Sequence, residues 1–219
     1  MGTITRKFAN NFLSGGTFAA AAINNSSLTN ITDVPTAVKG KLTLISTQTA
    51  SASASISFTS GIDSTYDEYV FKYINIHPAT DNADFTFNMS TDGGSNYNVT
   101  KTTTWFGPYH NEAGDTSALS YETSNDLAQS TGYQILAKDP EGTSADGSIS
   151  GELFLYGPSS TTFVKHFMAK LNFMADTYSY GVYCAGYGNT TSAINAIDFK
   201  FASGNIDDGI IKLYGVSKT

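Results

Sequence analysis

The chain has 219 residues and 12 Lys and Arg against 19 Asp and Glu, giving a net charge of −7. That length suits one large β domain with an added segment, and the charge excludes a nucleic-acid binder, because no Lys/Arg stripe exists to displace counterions from a phosphate backbone. Charged residues make up only 14% of the chain, whereas Ser, Thr and Asn number 25, 28 and 16, so the surface relies on hydroxyls and amides suited to strands and turns.

Residues 1–40 differ from the rest of the chain. The start Met1-Gly2-Thr3-Ile4-Thr5-Arg6-Lys7 has the basic flavour of a signal peptide, but Asn10-Asn11 and Ser14-Gly15-Gly16-Thr17 interrupt any apolar run before Phe18. No cleaved signal is expected. Arg6 stands where a myristoylation site wants Ser or Thr, and no run approaches the ~20 apolar residues of a membrane span, so no membrane insertion is expected. Phe8, Phe12 and Leu13 can share one short helical face ended by Gly15-Gly16. They are the expected anchor of an N-terminal arm that orders on a partner.

From Lys41 to Thr219 the pattern has period 2, which predicts an all-β, antiparallel sandwich with jelly-roll-like architecture. Leu42-Leu44 opens the first strand, and Ser51 to Phe58 alternates as a two-faced strand. Tyr69 to His77 is apolar on both faces, which predicts a central strand covered by sheet on one side and by a loop or another chain on the other. Asp84–Met89 and Tyr97–Thr104 flank Asp92-Gly93-Gly94 and read as a hairpin. Residues 107–130 are the least patterned and are expected to be a long functional loop. Strands resume over Thr131–Ala137, Asp146–Tyr156, Thr161–Met174, Tyr178–Gly188, Ile194–Ala202 and Gly209–Val216. About eleven strands are expected, with no repeat of fixed period.

Chemistry-bearing residues are sparse. His77, His110 and His166 lie in different elements without the paired spacing of a metal site. Cys184 is the sole cysteine, so no intramolecular disulfide forms, and its apolar neighbours predict a buried, inert thiol. Asp63/Asp67/Glu68, Asp81/Asp84, Asp139/Glu141 and Asp207/Asp208 sit in turn contexts, where carboxylates mostly cap backbone. Residues 90–96 and 203–208 lack the alternating ligands of an EF-hand loop. The expectation is therefore a non-enzyme with no cofactor and no resident metal. Tyr133, Tyr178, Tyr180, Tyr183 and Tyr187 lie near strand ends or alternate with small residues, which suits sugar stacking or a partner interface. Trp105, Tyr109 and His110, where an aromatic strand end opens into the 107–130 loop, are the candidate receptor or glycan contacts.

Three segments carry a resemblance. They are Gly61-Ile62-Asp63-Ser64-Thr65-Tyr66-Asp67-Glu68-Tyr69 with Asn75-Ile76-His77-Pro78-Ala79-Thr80, then Gly186-Tyr187-Gly188-Asn189-Thr190-Thr191-Ser192-Ala193-Ile194-Asn195-Ala196-Ile197, and Ser203-Gly204-Asn205-Ile206 with Ile211-Lys212-Leu213-Tyr214-Gly215. Each resembles segments in structural proteins of tailed phages, notably those of marine cyanobacteria. The resemblance covers parts of Gly61–Gly215 and transfers no functional residue. It implies a virion surface protein, foremost a tail-fibre or receptor-binding appendage touching host cell-surface glycan. The alternatives are a capsid decoration protein and a carbohydrate-binding module. The doubly apolar Tyr69–His77 strand adds a homo-oligomer, a trimer in the leading expectation, docked to other virion proteins through the N-terminal arm.

Overall fold

Alternating side chains fall on opposite faces of a pleated strand, and nearly every patterned stretch of this chain is extended. The computed structural model describes residues 12–13, 17–18, 42–142, 144 and 146–217, with no helix among them. The chain divides into two units, Met1–Lys39 and Gly40–Thr219. In the first, β1 (Phe12–Leu13) pairs antiparallel with β2 (Thr17–Phe18). Phe12 and Leu13 are thus in a strand pair and do not lie on a helical face. Phe8 and nearly all of the expected arm lie outside the described residues.

The second unit contains twelve strands: β3 (Leu42–Ser53), β4 (Ile56–Phe58), β5 (Glu68–Pro78), β6 (Phe85–Ser90), β7 (Lys101–Asn111), β8 (Ser117–Tyr121), β9 (Gln134–Ala137), β10 (Ile149–Tyr156), β11 (Lys165–Ala175), β12 (Tyr178–Gly188), β13 (Ala196–Phe201) and β14 (Ile206–Val216). Eight form one antiparallel sheet in the order β3-β14-β5-β10-β11-β12-β7-β8, and four form a second in the order β4-β13-β6-β9. The inner faces of the two sheets enclose a single apolar core. Phe199 of β13 is its centre, with ring centroids 5.4 Å from Phe71 and Tyr73 of β5 and 6.2–6.3 Å from Phe58, Phe85 and Phe87. Phe87 meets Phe167 of β11 edge-on at 4.9 Å. Such edge and offset pairs are the favoured arrangements of ring quadrupoles.

Four sequence expectations are corrected. The Ser51–Phe58 run is two strands, since β3 ends at Ser53 in the large sheet and β4 begins at Ile56 in the small one; Ala52 takes a positive φ of 51° just before this crossing. Asp84–Thr104 is not a hairpin. The Asp92-Gly93-Gly94 turn does form: Asp92 accepts from Ser90 Oγ, Asn96 N and Asn96 Nδ2, and both glycines have positive φ. Yet β6 pairs with β13 and β9, while β7 pairs with β12 and β8. The turn fixes only local geometry, and burial of Phe85, Phe87 and Met89 against the opposite sheet decides the pairing. Third, the expected loop 107–130 contains two strand segments. Residues 107–111 continue β7, and β8 returns beside them as the sheet edge. The Asn111 amide closes the connecting turn, donating to Asp115 Oδ1 and accepting from Asp115 N and Thr116 N. Fourth, on β5 the outward Val70 is only 1% exposed within this single chain, seated between Phe154 and Tyr214 on the neighbouring strands. Among the apolar outward residues of β5, only Ile74 stays exposed.

Candidate functional site

At one end of the sandwich the two sheets part and leave a cleft of about 670 Å³, within the size range of ligand pockets. Its aromatic wall follows from strand register. Trp105 and Tyr109 are four residues apart on β7 and so project from one face. Tyr109 lies directly across from Tyr180 of β12, and Tyr180 from Phe173 of β11. The rings continue from strand to strand: Phe173 and Tyr180 stack at 5.2 Å and 9°, Tyr180 meets Tyr109 at 5.3 Å, and Tyr109 meets Tyr178 at 5.8 Å. Between Trp105 and Tyr109, Gly107 keeps the inner face clear; a Cβ there would collide with the carbonyl of Gly181.

The rest of the lining is mainly polar, formed by Asn82, Glu122, Ser124, Asn125, Lys138, Asp139 and Asp176. Lys138 Nζ bridges Asp84 at 3.2 Å and Asp139 at 3.0 Å, and Asp139 N donates to Asp84 Oδ1 at 3.0 Å. Although burial opposes its charge, hydrogen bonds to these two carboxylates raise Lys138 above the ordinary lysine range. Glu122 Oε1 accepts from Ser120 Oγ at 2.7 Å, and Glu122 N donates to Trp105 O, tying the acid to the aromatic wall. Asn82, Asp139 and Asp176, all at the rim, have positive φ of 58°, 49° and 52°, a region Asn and Asp tolerate better than other side chains. Burial, with neighbouring tyrosines and the acids Glu122 and Asp176, pushes the Tyr180 hydroxyl above its usual pKa. Tyr180 therefore enters the cleft as a neutral donor.

The fold disperses the site residues expected from sequence. Trp105 is 3% exposed, its Nε1 donating to Leu136 O at 3.3 Å, and so forms the floor of the cleft, not an open platform. Tyr109 is half-buried in the cleft beside Tyr178 and Tyr180. His110 projects from the opposite face of β7 and is exposed, separated from both. Tyr183 and Tyr187 lie on the outer face of the large sheet. Tyr133 stands immediately before β9 of the small sheet, donating to Asp198 Oδ2 at 3.0 Å with Lys200 Nζ 4.2 Å from its ring centre. Cys184 is buried beside Trp105, and burial pushes its thiol up to about 12. Among the described residues, no three His, Cys, Asp or Glu side chains converge as metal ligands would. Glu122 lies in the 107–130 segment singled out from sequence, whereas Phe173, Lys138 and Asp176 carried no sequence signal of a site, because their separation along the chain exceeds any local pattern.

A wall of stacked rings sharing one cleft with carboxylates and amides suits a neutral, hydroxyl-rich ligand: the rings take its apolar face, while acids and amides exchange hydrogen bonds with its edge. No family model, curated protein or solved structure matches this chain.

Proposed function

We propose that the protein is a non-enzymatic surface component of a tailed-phage virion, a jelly-roll-like appendage that attaches to host glycan through the cleft. The carrying observation is the cleft itself, whose lining joins the rings Phe173, Tyr180, Tyr109 and Tyr178 with Glu122, Asn125, Asp139 and Asp176. Strand order supports the jelly-roll part of the reading. With the β7–β8 and β11–β12 pairs set aside as insertions, β3-β14-β5-β10 faces β4-β13-β6-β9. The chain then visits the two sheets in the alternating order of an eight-stranded double Greek key. The sequence resemblance supports the virion setting.

A homo-oligomer, a trimer in its simplest form, belongs to the proposal. Its support is at the sheet edges. β3 and β8, the two outer strands of the large sheet, contain no charged residue, and β3 is twelve residues long. Uncharged edges invite pairing unless something covers them. Docking to the particle through residues 1–40 completes the reading.

Calorimetric titration of the purified protein against neutral oligosaccharides tests attachment. Binding that falls at least tenfold in Tyr109→Ala and Tyr180→Ala supports the cleft, and retained binding in both variants removes it. Antibody labelling of intact particles tests placement. Label at the tail supports an appendage, whereas label on capsomers replaces attachment with capsid decoration.

A further inference from the structure

The large sheet has a second, chemically opposite feature on its outer face. Between residues 42 and 217 the chain carries 7 Lys against 18 acidic residues, yet three of those lysines meet in one cross-strand row. Register places Lys212 opposite Lys72, Lys72 opposite Glu152, Glu152 opposite Lys170, Lys170 opposite Tyr183, and Tyr183 opposite Phe106. At a strand spacing of about 4.8 Å, the lysines span roughly 14 Å. Only Lys72 is paired, to Glu152 at 3.2 Å. The side chains of Lys170 and Lys212 take part in no hydrogen bond or ion pair among the described residues. Like charges directly opposite on neighbouring strands destabilise a sheet, so packing gives no reason for the Lys212–Lys72 pair.

A shallow groove of about 500 Å³ runs over this row, with Ser150, Asn172 and Tyr214 also on its lining. Gly181 leaves β12 bare beside it: a Cβ there would meet nothing nearer than Pro108 Cγ at 3.6 Å. The groove ends at a flat aromatic step, where Phe106 and Tyr183 stack at 5.4 Å and 13° while remaining 41% and 45% exposed.

We infer that this groove binds an acidic polysaccharide, its carboxylates between Lys72, Lys170 and Lys212 and one sugar ring against the Tyr183–Phe106 step. The occupant follows from charge complementarity. Three ammoniums with one internal carboxylate leave two positive charges without a counter-anion, and the exposed rings want a flat, partly apolar body next to that anion. The acidic cleft at the end of the sandwich would repel the same ligand, so the cleft takes a neutral ligand and the groove an anionic one.

The test uses the full chain with polygalacturonate and its methyl-esterified form, which share a backbone and differ in charge. Polygalacturonate should bind, weaken as salt rises, and lose at least tenfold in affinity in the Lys170→Met/Lys212→Met double variant, which keeps the side-chain stems and removes the charges. The esterified polymer should bind no better than polygalacturonate binds that variant, and matching melting curves would show that the variant is folded. Tyr109→Ala and Tyr180→Ala should leave this binding unchanged, so failure of the cleft reading and failure of the groove are told apart. Equal binding of both polymers, or an unaffected double variant, overturns the proposal. So does self-association that the double variant abolishes without any polymer binding, because the groove would then belong to a second copy.

Discussion

Individual residues divide into those that hold the core and those it barely tolerates. Phe199 touches five other rings and is fully buried. Phe199→Ala should cost about 3–5 kcal/mol, read from urea unfolding, because truncating a buried aromatic leaves a cavity that a two-sheet core closes poorly. Lys101 is the opposite case. It is fully buried, and its Nζ donates to Asn88 Oδ1 at 2.5 Å and Val99 O at 2.7 Å. Burial pushes it down from 10.5 to about 7, while the two acceptors favour the charged form. Between those two values the unfolded chain holds the proton and the folded chain does not, so stability rises with pH across that window and this contribution is lost as pH falls to about 7. Lys165, lowered by burial in the same way and held by Phe163 O and Thr190 O, acts with the same sign. The lysine contribution to the unfolding free energy should increase by about 2–3 kcal/mol between pH 7 and pH 9.5. Cys184 and Tyr180, whose raised values act with the opposite sign, offset part of it toward the top of that window. Lys101→Met should flatten most of that rise; an unchanged slope would assign it elsewhere.

At the scale of elements, the β7–β8 hairpin is the part least supported by the core. All of β8 is exposed or half-buried, and among the described residues it pairs on one side only. The turn before it depends on the Asn111 side chain, which makes three hydrogen bonds. Asn111→Ala should cost roughly 1–2 kcal/mol, because two backbone donors lose their acceptor. Amide exchange should localise the effect. Residues 112–121 should exchange far faster than β5, which is central and flanked on both sides. Equal protection in the two elements would mean that another surface covers β8.

For the whole molecule, the doubly apolar character of Tyr69–His77 pointed to a second chain, and part of that demand disappears in the fold because Val70 is buried by its own neighbours. What still argues for assembly is the pair of uncharged edges at β3 and β8. Light scattering at micromolar concentration should give a multiple of the 23.3 kDa chain mass, three in the leading case. Lysines placed at outward positions of β3, for instance Thr47→Lys with Thr49→Lys, should reduce it to one copy by charging the edge. A monomer in both samples would sink the oligomer.

Strand identity was legible from sequence wherever one face is core and the other solvent. Tyr178–Gly188 and Lys165–Ala175 alternate because β12 and β11 lie in the middle of a one-sided sheet, and period 2 is a local property of the chain. Sequence likewise marked Tyr109, Tyr178 and Tyr180 as aromatic contacts, and the Asp92-Gly93-Gly94 turn, whose hydrogen bonds close within seven residues. Tertiary structure alone decided which strands pair, since an edge has no local signature: β6 and β7 flank one turn yet enter different sheets. It alone separated His110 from Tyr109, brought Phe173, Glu122, Lys138 and Asp176 around Trp105, and aligned Lys72, Lys170 and Lys212 in one row. Both sites are made by register between strands far apart in the chain, and register is set by how the whole core packs.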